Sequence, residues 1–450
     1  MATLDSSIVN IALPTFTKIF SVTLVEVKWV VVVYLFLITC LVLPFGRLSD
    51  LFGRRRIYCT GYLIFSIGSG LCALSSTFNT LLFSRAVQGV GAAMLMANGP
   101  AVITATFQRG ERGKALGVLG MVVSLGLITG PTLGGLLITH VGWTSIFWIN
   151  IPLGFIGMLL AYRFIVTQAP PAIRPTFDWL GSLLQMLFIS TIIWIADSPR
   201  FETEKGFQSR PYFRELITLC SVILGSLFFY VEKRAMAPVL DVSLLRIRAF
   251  AAGNLASFLS FLAFSSLAVL MPFFLEEILR LPPDNTGLYM SAIPLSVFVV
   301  APFSGRFSDR FGTRGISSIG AGLVTLVLFS FAGLFGSGLT ANTSPVLIIF
   351  ALCCAGISTG LFQSPNNNSI MSAVPIEKLG VASALLATIR NLGLAIGTGL
   401  STALLHWKYH QSADFIKALH FVFAVAGTLS VAAIFASLSR GSHPVLEVKD

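Results

Sequence analysis

Charge is scarce in this chain. Charged residues make up 11 % of 450, and only 19 are acidic. A soluble protein of this length would carry far more ionised surface, so a water-facing globular fold is excluded. Cysteine is sparse too: Cys40, Cys59, Cys72, Cys220, Cys353 and Cys354 all fall in expected helices, and no disulfide framework is implied. His140, His406 and His410 are scattered without metal-ligand spacing, so no metal site is expected. No P-loop, nucleotide fingerprint or catalytic triad is present, which argues against ATP-driven work and against an enzyme. Hydrocarbon fills the space instead, with 55 % of residues hydrophobic.

The apolar residues gather into fourteen segments, if the first, near 1–19, is accepted as incomplete; the last lies near 415–438. The net charge of +11 could suggest nucleic acid, but its distribution argues otherwise. Alternating the loops places 19 of the 30 Lys and Arg on one side and 9 on the other, with Arg85 and Arg390 inside helices. That asymmetry marks the richer side as cytoplasmic, with both termini on it, and makes membrane lipid headgroups the expected partner of the charge. The polar stretch 196–215 is the expected outer loop, and 232–249, with Lys233, Arg234, Arg246 and Arg248, lies inside.

Two copies of one short motif organise the rest. Gly46-Arg47-Leu48-Ser49-Asp50-Leu51-Phe52-Gly53-Arg54-Arg55-Arg56 recurs as Gly305-Arg306-Phe307-Ser308-Asp309-Arg310-Phe311-Gly312-Thr313-Arg314. Each copy sits between two apolar runs, as a tight turn on the basic side. Glycine suits such a turn, and the aspartate can accept hydrogen bonds at a helix N-terminus or pair with arginine. The order resembles the signature loop of the major facilitator superfamily, which lies between the second and third helices of each six-helix half. Leu51 departs from the basic residue usual there, whereas Arg310 retains it.

That resemblance implies an all-α integral membrane protein: two six-helix bundles, 1–166 and 250–450, with two further helices in 167–249. It also implies a conformational latch made of Gly46, Asp50, Gly53, Arg54, Arg55, Gly305, Asp309, Arg310 and Gly312. The opening run Leu4-Asp5-Ser6-Ser7-Ile8-Val9-Asn10-Ile11-Ala12-Leu13-Pro14 is similar to the middle of the first helix in the fourteen-helix drug:proton antiporters. By that likeness the first helix is expected to be incomplete as written, lacking some 15–20 residues.

Glycine spacing carries the next argument. Gly117, Gly126, Gly130, Pro131, Gly134 and Gly135 give a flat helix face for close packing, and the proline allows a bend. The full spacing resembles the antiporter motif of the superfamily, which is associated with exporters.

Intramembrane charge marks the expected chemistry. Asp5 is the carboxylate well inside an expected helix, and it matches the acidic residue of the family's first-helix motif. Arg85 opens Arg-Ala-Val-Gln-Gly-Val-Gly, similar to the family's fourth-helix motif. It either biases protonation of a neighbouring acid or snorkels to the interface. Asn10, Gln88 and Arg390 are the candidate cavity residues. Arg390 either pairs with carbonyls and amides of the C-terminal half or faces the cavity. Gln363-Ser364-Pro365-Asn366-Asn367-Asn368 is read as structural, its amides serving backbone groups freed by the proline. Trp143–Pro152 reads as an interfacial aromatic belt.

The expected function is a monomeric secondary transporter of the plasma membrane. It exports lipophilic drugs by alternating access, using the proton gradient and no cofactor. Little fixed negative charge in the cavity would favour neutral or monocationic molecules over dications. The alternatives are a dedicated exporter of one metabolite, lipid precursor or siderophore, and a non-transporting receptor or scaffold.

Overall fold

The structure is a computed structural model. It describes residues 1–22, 24–27, 29–165, 177–197, 211–235, 238–281, 283–334, 338–340 and 342–440. Among these, fourteen helices run fifteen residues or longer and no strand forms. They are α1 (Ala2–Phe20), α2 (Trp29–Phe52), α3 (Arg54–Ala73), α4 (Phe78–Thr106), α5 (Arg112–His140), α6 (Asn150–Phe164) and α7 (Trp179–Asp197). There follow α8 (Pro211–Glu232), α9 (Arg248–Phe273), α10 (Ala292–Phe311), α11 (Thr313–Phe331), α12 (Pro345–Ser372), α13 (Leu379–Ser412) and α14 (Phe415–Leu438). Fourteen crossings are expected from sequence; by length and apolar content eleven described helices qualify, without α1, α3 and α7. Polar residues dilute α1 (Asp5, Asn10, Lys18) and three arginines open α3. Most of the expected outer loop, 198–210, lies outside the described residues, as do 166–176 and 441–450.

Each motif turn shrinks to a single glycine. Gly53 separates α2 from α3 at φ 93°, and Gly312 separates α10 from α11 at φ 87°. A side chain there would strain the backbone, so glycine reverses the chain with no loop at all. Elsewhere side-chain caps start the helices: Thr77 accepts from Thr80 N at 3.2 Å before α4, and Asp414 accepts from Ile416 N at 3.0 Å before α14.

Small residues set how closely helices approach. A methyl on Gly68 would come within 2.6 Å of the Gln88 backbone nitrogen, so α3 and α4 touch at van der Waals distance. That contact brings Gln88 to the centre of the first bundle. The two bundles meet along two seams, α2 with α13 and α5 with α10. In both seams glycine lies against backbone: Gly46 against Gly380 and Ala384, and Gly113 against Gly305. Helices α7 and α8 pack on one another, and Gln185 of α7 donates to the Cys40 carbonyl of α2 at 3.2 Å. Outward faces are apolar, as in Phe155, Ile156, Leu159 and Leu160 of α6, all exposed. Such a belt suits contact with lipid.

Candidate functional site

Asp5 is 1 % exposed, inside the first bundle. Its Oδ2 accepts from Arg85 Nη1 at 2.7 Å, and its Oδ1 accepts from Gln88 Nε2 and Asn150 Nδ2, each at 2.8 Å. Arg85 also donates from Nε to the Val30 carbonyl at 3.0 Å and from Nη1 to Gln88 Oε1 at 2.5 Å. Its guanidinium lies 4.1 Å from the centre of the Tyr34 ring. Four helices, α1, α2, α4 and α6, thus converge on one carboxylate. Buried charges persist only when paired and hydrogen-bonded, and removing one partner of such a pair costs about 3–5 kcal/mol. The two readings of Arg85 resolve here: it is fully buried and bound to Asp5, so it does not snorkel.

Asp5 is the common acceptor of all three side-chain donors. Its carboxylate therefore ties these four helices together. Asn150 was legible in the sequence only as part of an aromatic belt. An amide opening an apolar helix two residues ahead of Pro152 is the signal that points to it.

The basic side of the molecule is closed by two matching contacts. Asp50, at the end of α2, accepts from Gly380 N and Val381 N at the start of α13, both at 3.0 Å. Asp309, at the end of α10, accepts from Gly113 N and Lys114 N at the start of α5, both at 2.9 Å. Each aspartate belongs to one bundle and each helix N-terminus to the other, where a carboxylate meets the positive end of the helix dipole. Arg54 donates to Asp50 Oδ1 at 3.2 Å and to the Ile376 carbonyl at 2.6 Å, and Asn368 donates to Asp309 Oδ1 at 3.0 Å. Two of the expected latch arginines lie on their own bundles: Arg55 stacks 3.8 Å over Tyr162, and Arg310 sits 5.5 Å over Phe311.

The α5 glycines divide between two neighbours. A Cβ on Gly117 would meet α10 at Ala301, whereas those on Gly126, Gly130 and Gly134 would meet α1 at Thr3, Ser7 and Ile8. Nothing lies within 4 Å of a Cβ on Gly135. The side chain of Pro131 lies outside the described residues. One face of α5 therefore touches the Asp5 helix and the opposite bundle in turn.

Between the bundles, beyond the sealed basic side, lies a cavity of about 190 Å³. Tyr58 and Tyr62 of α3, Leu95 and Met96 of α4, Phe261 of α9, and Ser383 and Arg390 of α13 line it. The Gln363–Asn368 run is split. Gln363 and Asn367 face the cavity, Asn368 donates to Asp309, and Asn366 accepts a hydrogen bond from Arg440. Two cavity expectations need correction. Gln88 is fully buried in the Asp5 group and Asn10 is exposed on α1; neither lines the cavity. Close α3–α4 packing pulls Gln88 inward, and the rotation of α1 that turns Asp5 inward turns Asn10 away.

A family model described as Major Facilitator Superfamily matches residues 1–252 and again 253–449. The chain belongs to that superfamily. It is 37 % identical over 399 residues to the riboflavin transporter RibZ of Clostridioides difficile, covering 88 % of this chain and 84 % of that one. It is 31 % identical over 411 residues to the multidrug resistance protein Stp of Mycobacterium tuberculosis, covering 90 % and 74 %. Among solved structures, the human organic anion transporter MFSD10 superposes with a TM-score of 0.67 at 14 % identity, over 97 % of this chain and 96 % of that one; this shows the fold alone. The protein is thus a multi-pass membrane transporter and not an enzyme. Each of the two matched stretches carries one motif turn, and each turn supplies one aspartate to the opposite bundle.

Proposed function

We propose that this transporter exports lipophilic small molecules in exchange for protons entering the cell, within the fourteen-helix drug:proton antiporter branch of the superfamily. The observation that carries the reading is the buried Asp5–Arg85–Gln88–Asn150 group beside a central cavity. Asp5 binds the proton and Arg85 biases its affinity. The latches at Asp50 and Asp309 hold the outward-facing state, and the α5 glycines let the bundles rock. The membrane is the plasma membrane, the basic side with both termini is cytoplasmic, and the working unit is a monomer in contact with anionic lipids. Likeness to Stp supports drug export. A dedicated transporter of one metabolite is the second reading, favoured by 37 % identity to a riboflavin transporter.

The test is flux in proteoliposomes with an imposed proton gradient. Asp5→Asn, which preserves shape and removes the titrating group, abolishes uphill efflux while leaving downhill exchange. Undiminished gradient-driven transport by that variant would remove Asp5 from the mechanism.

A further inference from the structure

The buried arginines Arg85, Arg54 and Arg440 all have partners, whereas the half-buried Arg390 has none among the described residues. Arg85 pairs with Asp5, Arg54 with Asp50, and Arg440 with Asn366 and Ser317. Arg390 makes no hydrogen bond or ion pair with any described residue, yet its side chain lines the central cavity. It stands eleven residues past the start of α13. At a rise of about 1.5 Å per residue that is roughly 16 Å from the helix end, near the middle of a ~30 Å hydrocarbon core. Arginine does not shed its proton to escape such a place. An unmatched charge at this depth is costly, and charges of this kind line pathways or meet ligands.

The surrounding wall is equally one-sided. Among the described residues lining the cavity there is no aspartate or glutamate. The carboxylate that could have drawn cations, Asp5, is buried within the first bundle and held by Arg85. The remaining wall combines apolar surface from Leu95, Met96, Phe261 and Leu386 with neutral donors and acceptors from Gln363 and Asn367. Such a site holds an apolar body and directs a single negative group to the guanidinium, whose parallel N–H pair fits a carboxylate in two-point fashion.

We propose that Arg390 is the anion-binding residue of the central cavity and that the preferred cargo is a lipophilic monoanion. The proposal rests on reading this cavity as the transport site, and it departs from the sequence-based expectation that neutral or monocationic molecules are favoured over dications. That expectation counted Asp5 toward the cavity, and the fold removes it from the wall.

Equilibrium binding to the purified full chain tests it, with no gradient applied. The probes are 2-naphthoate and its neutral isostere 2-naphthamide, followed by equilibrium dialysis. The wild type should bind the carboxylate at least about ten-fold more tightly than the amide, the scale of one charge-assisted contact. Arg390→Gln should bring the two to parity, and Arg390→Lys, which keeps the charge without the fork, should retain part of the preference. Elution volume and melting temperature identify a variant that has failed to fold, and Arg390→Lys then carries the comparison. Equal affinity of the wild type for both probes, absence of naphthoate binding, or a preference that survives Arg390→Gln would each overturn the proposal. Because the readout needs no proton flow, failure of Asp5 as proton carrier leaves this result standing, and the reverse also holds.

Discussion

Replacing Asp50 by alanine removes the acceptor of two backbone N–H groups at the start of α13 and leaves Arg54, 4 % exposed, with the Ile376 carbonyl as its remaining acceptor of these two. Hydrogen bonds to a charged group contribute about 1.5–3 kcal/mol each. Only the part lost on opening the basic side counts, because water solvates both the carboxylate and the helix terminus once they separate. A state-dependent loss of about 2 kcal/mol is a reasonable share of two such bonds and corresponds to roughly 30-fold in the equilibrium. A population held at about 99:1 latched would then fall to about 3:1. Asp309 and its partners Gly113, Lys114 and Asn368 share no group with Asp50, so the two effects should add. The double variant should therefore invert the population to about 1:9 by the same arithmetic. Spin labels at Gln108 and Glu377, exposed on opposite bundles at the basic side, report the separation by pulsed dipolar spectroscopy. The single variant adds a minor long distance, the double variant makes it the major one, and Asp50→Asn, which keeps one acceptor, shifts less. An unchanged distance distribution in the double variant would refute the latch.

Two further outcomes follow from the same geometry. Gly130→Ala places a methyl 2.5 Å from Ser7 on the Asp5 helix, so transport should fall about ten-fold or more, whereas Gly135→Ala meets nothing and should transport normally; vesicle flux at matched expression compares them, and equal activity of the two would contradict an α5 hinge face. Asp241, outside the membrane helices, is paired with Lys378 just ahead of α13. Burial alone would raise its pKa, but hydrogen bonds from Lys378 and Ser243 and the lysine's charge outweigh it and hold the carboxyl below its ordinary value. A lowered folded-state pKa stabilises above the unfolded value of about 3.9 and loses that contribution as pH falls through the folded value. The melting difference between wild type and Asp241→Asn should be constant from about pH 5 to 7 and shrink below about pH 4; a difference that grows on acidification would reverse the assignment.

Apolar runs of bilayer length and the lack of charge determined an all-helical membrane protein from the sequence alone, because continuous runs of about 20 apolar residues satisfy their backbone in lipid as helices, whereas barrel strands are shorter and alternate in polarity. The duplicated turn was equally legible: glycine at positions 53 and 312 is a local requirement of positive φ, and local requirements are written in residue type. Asp5 and Arg85 stood out as charges in apolar helices, and the structure brings them together. The partners of Asp50 and Asp309 did not stand out. Asp50 and Asp309 bind backbone N–H groups of Gly380, Val381, Gly113 and Lys114, and a backbone donor is the same at every residue, so nothing in the sequence names it. Rotation of each helix about its axis was likewise decided by tertiary packing. Close contact at Gly68 drew Gln88 into the Asp5 group, α1 turned Asn10 outward, and α6 presented Asn150 to the carboxylate. Whether Arg390 paired or stood free depended on the same rotation. Helical spacing tells which residues share a face, but only the neighbours supplied by distant segments decide which face meets the cavity.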